Sequence, residues 1–532
     1  MPEDVADAVV IGAGPNGLVG ANALADAGWS VLLLEAAPEA GGAVRTAEVT
    51  APGFHTDLFS AFYPLAAASP VIRGLDLADH GLVWEHAPDV LAHALDDGRA
   101  AVLSTSLERT AANVDEFAPG DGAAWVELAE AWQGIRDPLL DALFTPFPPV
   151  RAVVRLLRRI GVAGSLDLAR LAVLPVRRLA EERFRGEGAA LLLAGNAMHS
   201  DVPPNAAGSG VFGWLLAMLG QDVGFPVPRG GAQNLARSLE SRLVSCGGEV
   251  RTGHRVTGIE VTGGRATAVR VADGSMVRVR RAVLADVPAP ALYRDLVGLE
   301  LLPAGLGRHL DRFEWDPATI KVNWALNRRV PWRAAGATGA GTVHLGTDCD
   351  GLVDFAADLS TGRVPRQPFL VFGQMTTADA TRSPAGSESA WAYTHVPRDR
   401  DWDVAAVAEH VARMETVVER AAPGFRDTVL ARHVQSPADL EAVNLSLVGG
   451  AINAGTAAPH QQLFLRPVPG PGRPETPVDG LFLAGASAHP GGGVHGACGW
   501  NAALSALRAA GRTGPARRRL NQAVWGRLLP PG

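Results

Sequence analysis

Residues 8–11 form a short, wholly apolar run that Gly12 ends at once, the pattern of a strand buried on both faces. Apolar positions continue at helical spacing over residues 18–27, Gly28 stops the helix, and residues 29–34 give a second apolar strand that closes on Glu35. Strand, helix and strand in that order predict a βαβ unit at the start of the chain. After a Pro52-Gly53 turn the pattern changes. Residues 58–225 carry few strand signals, and the apolar runs at 126–132, 150–160, 166–174 and 189–193, interleaved with Arg or Glu, predict helices. A helix is expected over 235–245, stopped by Gly247 and Gly248. Strands follow at 249–252, 256–261, 266–271 and 277–285, separated by glycine turns. Between residues 300 and 475 the clearest strands are 319–326 and 369–374, and the clearest helix is 404–418. A last buried strand over 479–486 runs into a glycine cluster and then a helix.

A chain of 532 residues exceeds one ordinary core, so two domains are expected. With 47% hydrophobic and 19% charged residues it reads as a globular protein with large buried areas. A net charge of −7 gives no nucleic-acid footprint. Cys246, Cys349 and Cys498 lie far apart, in neither a metal spacing nor a disulfide framework, so no metal and a reduced, cytoplasmic setting are expected. The first strand starts too early to leave room for a signal peptide, and the longest uncharged stretch, residues 202–221, is broken by Pro203, Pro204 and several glycines. The segments around Arg151, Arg155, Arg158 and Arg159 mix cationic and apolar side chains. They read first as ordinary helices with one solvated face, and second as a surface for peripheral membrane contact or lipid entry. The sequence fixes no oligomeric state.

The first turn carries chemistry. Gly12, Gly14 and Gly17, with Pro15 and Asn16 between them, have the G-x-G-x-x-G spacing: the first allows the tight turn, the second a close backbone approach to a pyrophosphate, the third close helix–strand packing. Helix amides would face the phosphate charge, and Glu35, about 20 residues on, would accept ribose hydroxyls. This fingerprint does not separate NAD from FAD. The continuation Glu35-Ala36-Ala37-Pro38-Glu39-Ala40-Gly41-Gly42-Ala43-Val44-Arg45 adds a second glycine pair and a forked cation suited to further phosphate charge.

That continuation resembles the E-x(5)-G-G-x-x-R segment of the flavin family containing amine oxidases, protoporphyrinogen oxidases and phytoene desaturases. The run Val256-Thr257-Gly258-Ile259 is similar to the stretch where that family's backbone meets adenine. The closing Gly485-Ala486, then His489-Pro490-Gly491-Gly492-Gly493-Val494-His495, closely resembles the C-terminal flavin motif of phytoene-desaturase-like proteins. Ala486 stands where many flavoenzymes place an aspartate for the ribityl chain, leaving Ser487 or backbone to serve.

The resemblance implies an α/β fold, a Rossmann-like FAD domain of two-dinucleotide-binding type with an inserted α+β substrate domain. The FAD domain would take residues 1–57, 226–299 and 478–532, and the substrate domain 58–225 and 300–477. It implies non-covalent FAD held by Gly12, Gly14, Pro15, Asn16, Gly17, Glu35, Ala36, Gly41, Gly42, Arg45, Val256, Gly485, Ala486, Gly492, Gly493 and Val494. It further implies hydride removal from a hydrophobic, isoprenoid or polyene substrate to flavin N5, as in phytoene dehydrogenases. Amine oxidation, carotenoid cis–trans isomerisation and flavin-free prenyl binding are the alternatives within the same fold.

Lys321 is the single lysine among 48 basic side chains. Its setting, 316–326 followed by Pro331-Trp332, looks like the amine-oxidase strand whose lysine holds a water near flavin N5. A surviving surface or interdomain lysine is the plainer reading. Of the two histidines flanking the glycine run, His489 is expected to bond backbone, which leaves His495 as the candidate for proton chemistry. Cys498 is expected to pack in the closing turn rather than bind flavin covalently. Asp57, Ser60 and His199 could face substrate by location alone.

Overall fold

The computed structural model describes residues 4–529; the few terminal positions beyond these, assigned above to the FAD domain, lie outside the described residues. The chain opens with β1 (Asp4–Ile11), α1 (Pro15–Asp26) and β2 (Val31–Leu34); β2 and residues 8–11 of β1 are closed in by protein. The second strand starts two residues later than the apolar run suggested, because Trp29 and Ser30 still belong to the turn that bonds Trp29 N to Leu24 O. Next come β3 (Asp89–Ala94), β4 (Ala100–Leu103), α2 (Asp121–Phe144), α3 (Val150–Leu171), α4 (Glu187–His199) and α5 (Ser209–Val223). The predicted helices at 150–160 and 166–174 are one segment, bent at Gly161, whose φ of +67° only glycine adopts readily. The β3–β4 hairpin was not expected in this region.

α6 (Gln233–Ser245) leads into β5 (Glu249–Arg251), β6 (Val256–Thr262), β7 (Arg265–Val271) and β8 (Met276–Ala285), close to the predicted bounds. Then follow β9 (Ala318–Leu326), β10 (Ala340–Leu345), β11 (Leu370–Gln374), β12 (Glu388–Val396), α7 (Val404–Ala421), β13 (Val429–Gln435), β14 (Leu481–Leu483) and α8 (Ala497–Ala510).

Two seven-stranded sheets result. The first runs β6-β7-β8-β1-β2-β5, with β14 added to β8, and its parallel centre β8-β1-β2-β5 is the Rossmann-like part. The second runs β13-β9-β12-β11-β10-β3-β4 and is antiparallel except where β10 meets β3. This is the mixed α/β architecture of an FAD domain with a substrate domain.

The second sheet has two unlike faces. Ile320, Val322 and Trp324 of β9, with Ala392, Phe372, Val343 and Ala92, form an apolar core under Val411, Met414 and Val418 of α7. The register pairs Thr319 with His395, Lys321 with Tyr393, Asn323 with Trp391, and His344 with His93, so the chemistry-bearing side chains share the opposite face.

Candidate active site

The glycine turn after β1 is closed from behind by Asp286, the residue that follows β8. Its Oδ2 accepts from Gly17 N at 2.8 Å, and a Cβ at Gly14 would come within 2.7 Å of that same oxygen. Burial raises Asp286 to about 7, with the Gly17 N–H opposing and Glu35 adding to the rise. Nothing in the sequence reading singled it out, although it stands directly after an apolar strand and before Val287-Pro288.

Glu35 accepts from Ala13 N at 2.6 Å and Ala37 N at 2.8 Å, which fixes its carboxylate at the end of β2. Ala36 is exposed beside it, and His254 N donates to Glu35 O, so the strand bearing Val256 enters next to this acid. Gly41 N donates to Ala13 O, and a Cβ on Gly42 would lie 2.9 Å from Gly14 Cα, so the second glycine pair lies against the first turn. Arg45 stacks over the Phe59 ring at 5.7 Å and has no carboxylate partner among the described residues.

The far end of the chain comes to the same place. β14 pairs with β8, and a Cβ at Gly485 would sit 2.7 Å from Val287 O. α8 crosses α1 so closely that a Cβ at Gly499 would overlap Asn16 O, and one at Gly496 would press on Val19. Neither α1 nor α8 carries a side-chain cap at its own N-cap residue, and these two N-termini converge. Asn16 Oδ1 and both amide atoms of Asn501 are buried without a partner there. Converging helix N-termini, orphaned amides, bare backbone and an unpaired arginine fit an elongated, doubly phosphorylated cofactor.

In the closing loop, Ala486 O is held by Nε and Nη2 of Arg466, which is itself fully buried. Ser487 Oγ donates to Ala454 O at 2.8 Å and accepts from Ala289 N at 3.0 Å. That hydroxyl is therefore committed to protein, and backbone is what the loop offers in place of the missing aspartate. His495 Nδ1 accepts from Ala497 N and its Nε2 faces Gly491 O at 3.2 Å, while burial pulls it down to about 4. Both nitrogens of this candidate for proton chemistry bond its own loop. His489, expected to bond backbone, has a backbone hydrogen bond with Thr145, while its Nε2 is buried without a partner. Cys498 is fully buried, its thiol pushed up to about 12 by burial, in the packing position expected.

The segment joining the two sheets completes the site. Lys321 Nζ donates to Asp57 O at 2.5 Å and Phe59 O at 2.9 Å and sits over the Trp391 ring at 4.9 Å. Burial brings the amine down to about 7, with Asp57 opposing and Arg382 assisting. Asp57 pairs with Arg382 at 2.8 Å, both side chains fully buried, and also accepts from Thr46 and Ala232 N. Trp391 and Tyr393 stack in parallel at 6.1 Å, and Gly373 leaves the space that the Trp391 indole fills. Beyond Tyr393, His395 Nε2 meets Asp201 Oδ1 at 2.5 Å. Asn453, against which Gly492 packs, donates to the other Asp201 oxygen. Burial pulls His395 down, and the Asp201 carboxylate more than reverses that.

Comparison with known proteins decides the family. A model of flavin containing amine oxidoreductases matches residues 16–513. The chain belongs to that family. It is 30% identical to the mouse pyridine nucleotide-disulfide oxidoreductase domain-containing protein 2, over 94% of this chain and 93% of that one. A phytoene dehydrogenase from Streptomyces griseus is 26% identical over 91% and 92% of the two chains. Among solved structures, an oxidoreductase from Methanosarcina mazei superposes with a TM-score of 0.62 at 16% identity, covering 94% of this chain and 99% of the other. As a family member the chain is an FAD-dependent oxidoreductase, and the converging glycine turns are where its residues suit that cofactor.

Proposed function

We propose that this flavoprotein removes a hydride from a C–H bond of an apolar substrate, in the manner its similarity to phytoene dehydrogenases suggests. The observation that supports the reading is the meeting of α1 and α8, which brings the closing segment of the chain against the first glycine turn. Bound there without a covalent link, FAD would supply a two-electron acceptor. The protein would orient the substrate against Trp391 and Tyr393 and exclude water. Lys321, poised near neutral pH, would hold or move a proton at the joint between the sheets, and His495 would fix the glycine loop. In this reading residues 1–57, 226–299 and 478–532 form the cofactor domain and 58–225 and 300–477 the substrate domain, supported by which strands enter which sheet.

The reading extends to a membrane surface. On α3 the apolar side chains themselves are exposed, Val162 at 82% and Leu166 at 68%, beside Arg151, Arg155, Arg158 and Arg159. A helix that merely packed one face would cover them. Among the described residues no helix is long and apolar enough to cross a membrane. The double variant V162D/L166D is expected to lose binding to anionic vesicles in a flotation assay while keeping its flavin; unchanged flotation removes this part.

The central test is anaerobic. Purified protein should show flavin absorbance that bleaches with phytoene or a monoterpene and not with an alkylamine. Bleaching by the amine alone would assign amine oxidation instead, and colourless protein that takes up no FAD would make the fold a binding module.

A further inference from the structure

Of the hydrogen-bonding groups at the chemistry-bearing face of the second sheet that no protein atom satisfies, two belong to residues that are only half-buried, whereas Asn323 Oδ1, Thr342 Oγ1, His93 Nδ1 and His344 Nδ1 are sealed in. The Tyr393 hydroxyl has no hydrogen-bond partner among the described residues. His199, at the C-terminal end of α4, uses Nδ1 on His344 Nε2 at 3.5 Å and leaves its Nε2 without one. The two rings lie 6.4 Å apart, edge to face, and neither is fully covered by protein, whereas Trp391, His395 and His344 beside them are buried. Both are neutral in the ordinary pH range: burial takes His199 down to about 4 and Tyr393 far above the usual phenol value. The charges beside them are already spoken for, because Asp201 is held by His395 and Asn453. Asp201 also sits at a φ of +61°, uncommon for a residue with a side chain, so the loop after α4 is shaped around this contact.

A hydrocarbon lying on this face would cover both groups and leave them unpaired, which is unfavourable. A carboxylate or ammonium would meet neutral donors and no free counter-charge. We propose that Tyr393 and His199 form a polar subsite for a neutral oxygen, a hydroxyl or a carbonyl, on an otherwise apolar substrate. In the tautomer where His344 donates to His199 Nδ1, the His199 proton sits on Nε2 and a carbonyl oxygen accepts from two donors; in the reverse tautomer His199 Nε2 accepts, and a hydroxyl can donate to it while accepting from Tyr393. The inference deepens the function proposed above and rests on it in one respect, that substrate lies on this face of the sheet.

The test is a binding titration that needs no turnover. Dodecane, 1-dodecanol, dodecanal, dodecanoate and dodecylamine are presented to the full-length protein in the same detergent micelles, and tryptophan fluorescence and the visible flavin band are followed. The alcohol or the aldehyde should bind about tenfold more tightly than dodecane, the share expected of one hydrogen bond. Which of the two is tighter identifies the oxygen function. Tyr393→Phe should erase most of that preference, and His199→Gln, which keeps a donor, should retain it. If Tyr393→Phe does not fold, His199→Leu is read in the same titration. Equal affinity for dodecane, tighter binding of the acid or the amine, an unchanged preference in Tyr393→Phe or His199→Leu, or no binding of any probe would each overturn the subsite. Failure of the wider reading shows separately, as a flavin that no apolar substrate bleaches.

Discussion

Lys321 and Asp286 are two buried groups held near neutrality from opposite directions. For Lys321 the folded value lies below the ordinary lysine value, so the fold favours the neutral amine, and stability rises with pH between about 7 and 10.5. Lys321→Met should abolish that rise in thermal melts, retain FAD, and slow flavin reduction or reoxidation by roughly 100-fold. Unchanged half-reactions would leave the residue as a strut between the sheets. Asp286 is raised, so the folded state keeps its proton longer than the unfolded chain, and stability falls as pH climbs from about 4 to 7 and is level above that. Asp286→Asn keeps an acceptor for Gly17 N and cannot ionise. The melting temperature of the variant relative to the parent should therefore climb across that same interval, and a constant difference would mean the carboxyl is charged throughout.

At the scale of elements, the contact of α8 on α1 depends on Gly499, whose missing side chain lets the helix rest on Asn16 O. Gly499→Ala forces the helices apart and is expected to cost about 1–3 kcal/mol in overpacking, and to lower FAD occupancy of the purified protein. Full occupancy with an unchanged melting temperature would contradict the crossing described. This half of the fold was legible because its signals are local: glycines at fixed offsets, a strand before them, an acid after. The second sheet was less so. In β12 the residues Glu388, Ser389, Thr394 and His395 are buried alongside apolar ones, and β10 mixes Gly341, Thr342 and His344 into its core, so neither strand shows the alternation that marks a half-exposed sheet. The β3–β4 hairpin was hidden by its helical surroundings and by a partner, β10, far along the chain. Lys321 stood out by composition alone. Its backbone partners, like the pairing of Asp201 with His395, depend on loops that no spacing in the sequence relates.

Across the whole molecule, the two sheets are joined through residues 55–59. Asp57 receives Arg382 and Thr46, Lys321 takes two of the backbone carbonyls, and His55 O accepts from Arg382 and Ser389. Removing Arg382 would strand a buried carboxylate, so Arg382→Met should cost about 3–5 kcal/mol. Because the joint lies beside Arg45 and Phe59, the same variant should shed FAD on dilution faster than the parent. A variant that melts early yet holds flavin as firmly would separate the joint from the cofactor.

The pairing of β14 with β8 and the seating of α8 on α1 also impose a timetable on biosynthesis. A ribosome adding about 5–20 residues per second needs on the order of a minute to pass from the first strand to the last. Throughout that interval the opening βαβ unit has emerged without the helix that roofs it. With FAD held along both glycine segments as proposed, a nascent polypeptide halted before Gly485 would lack the closing one, so cofactor capture is expected no earlier than the final moments of translation, and a chain truncated there is expected to stay colourless.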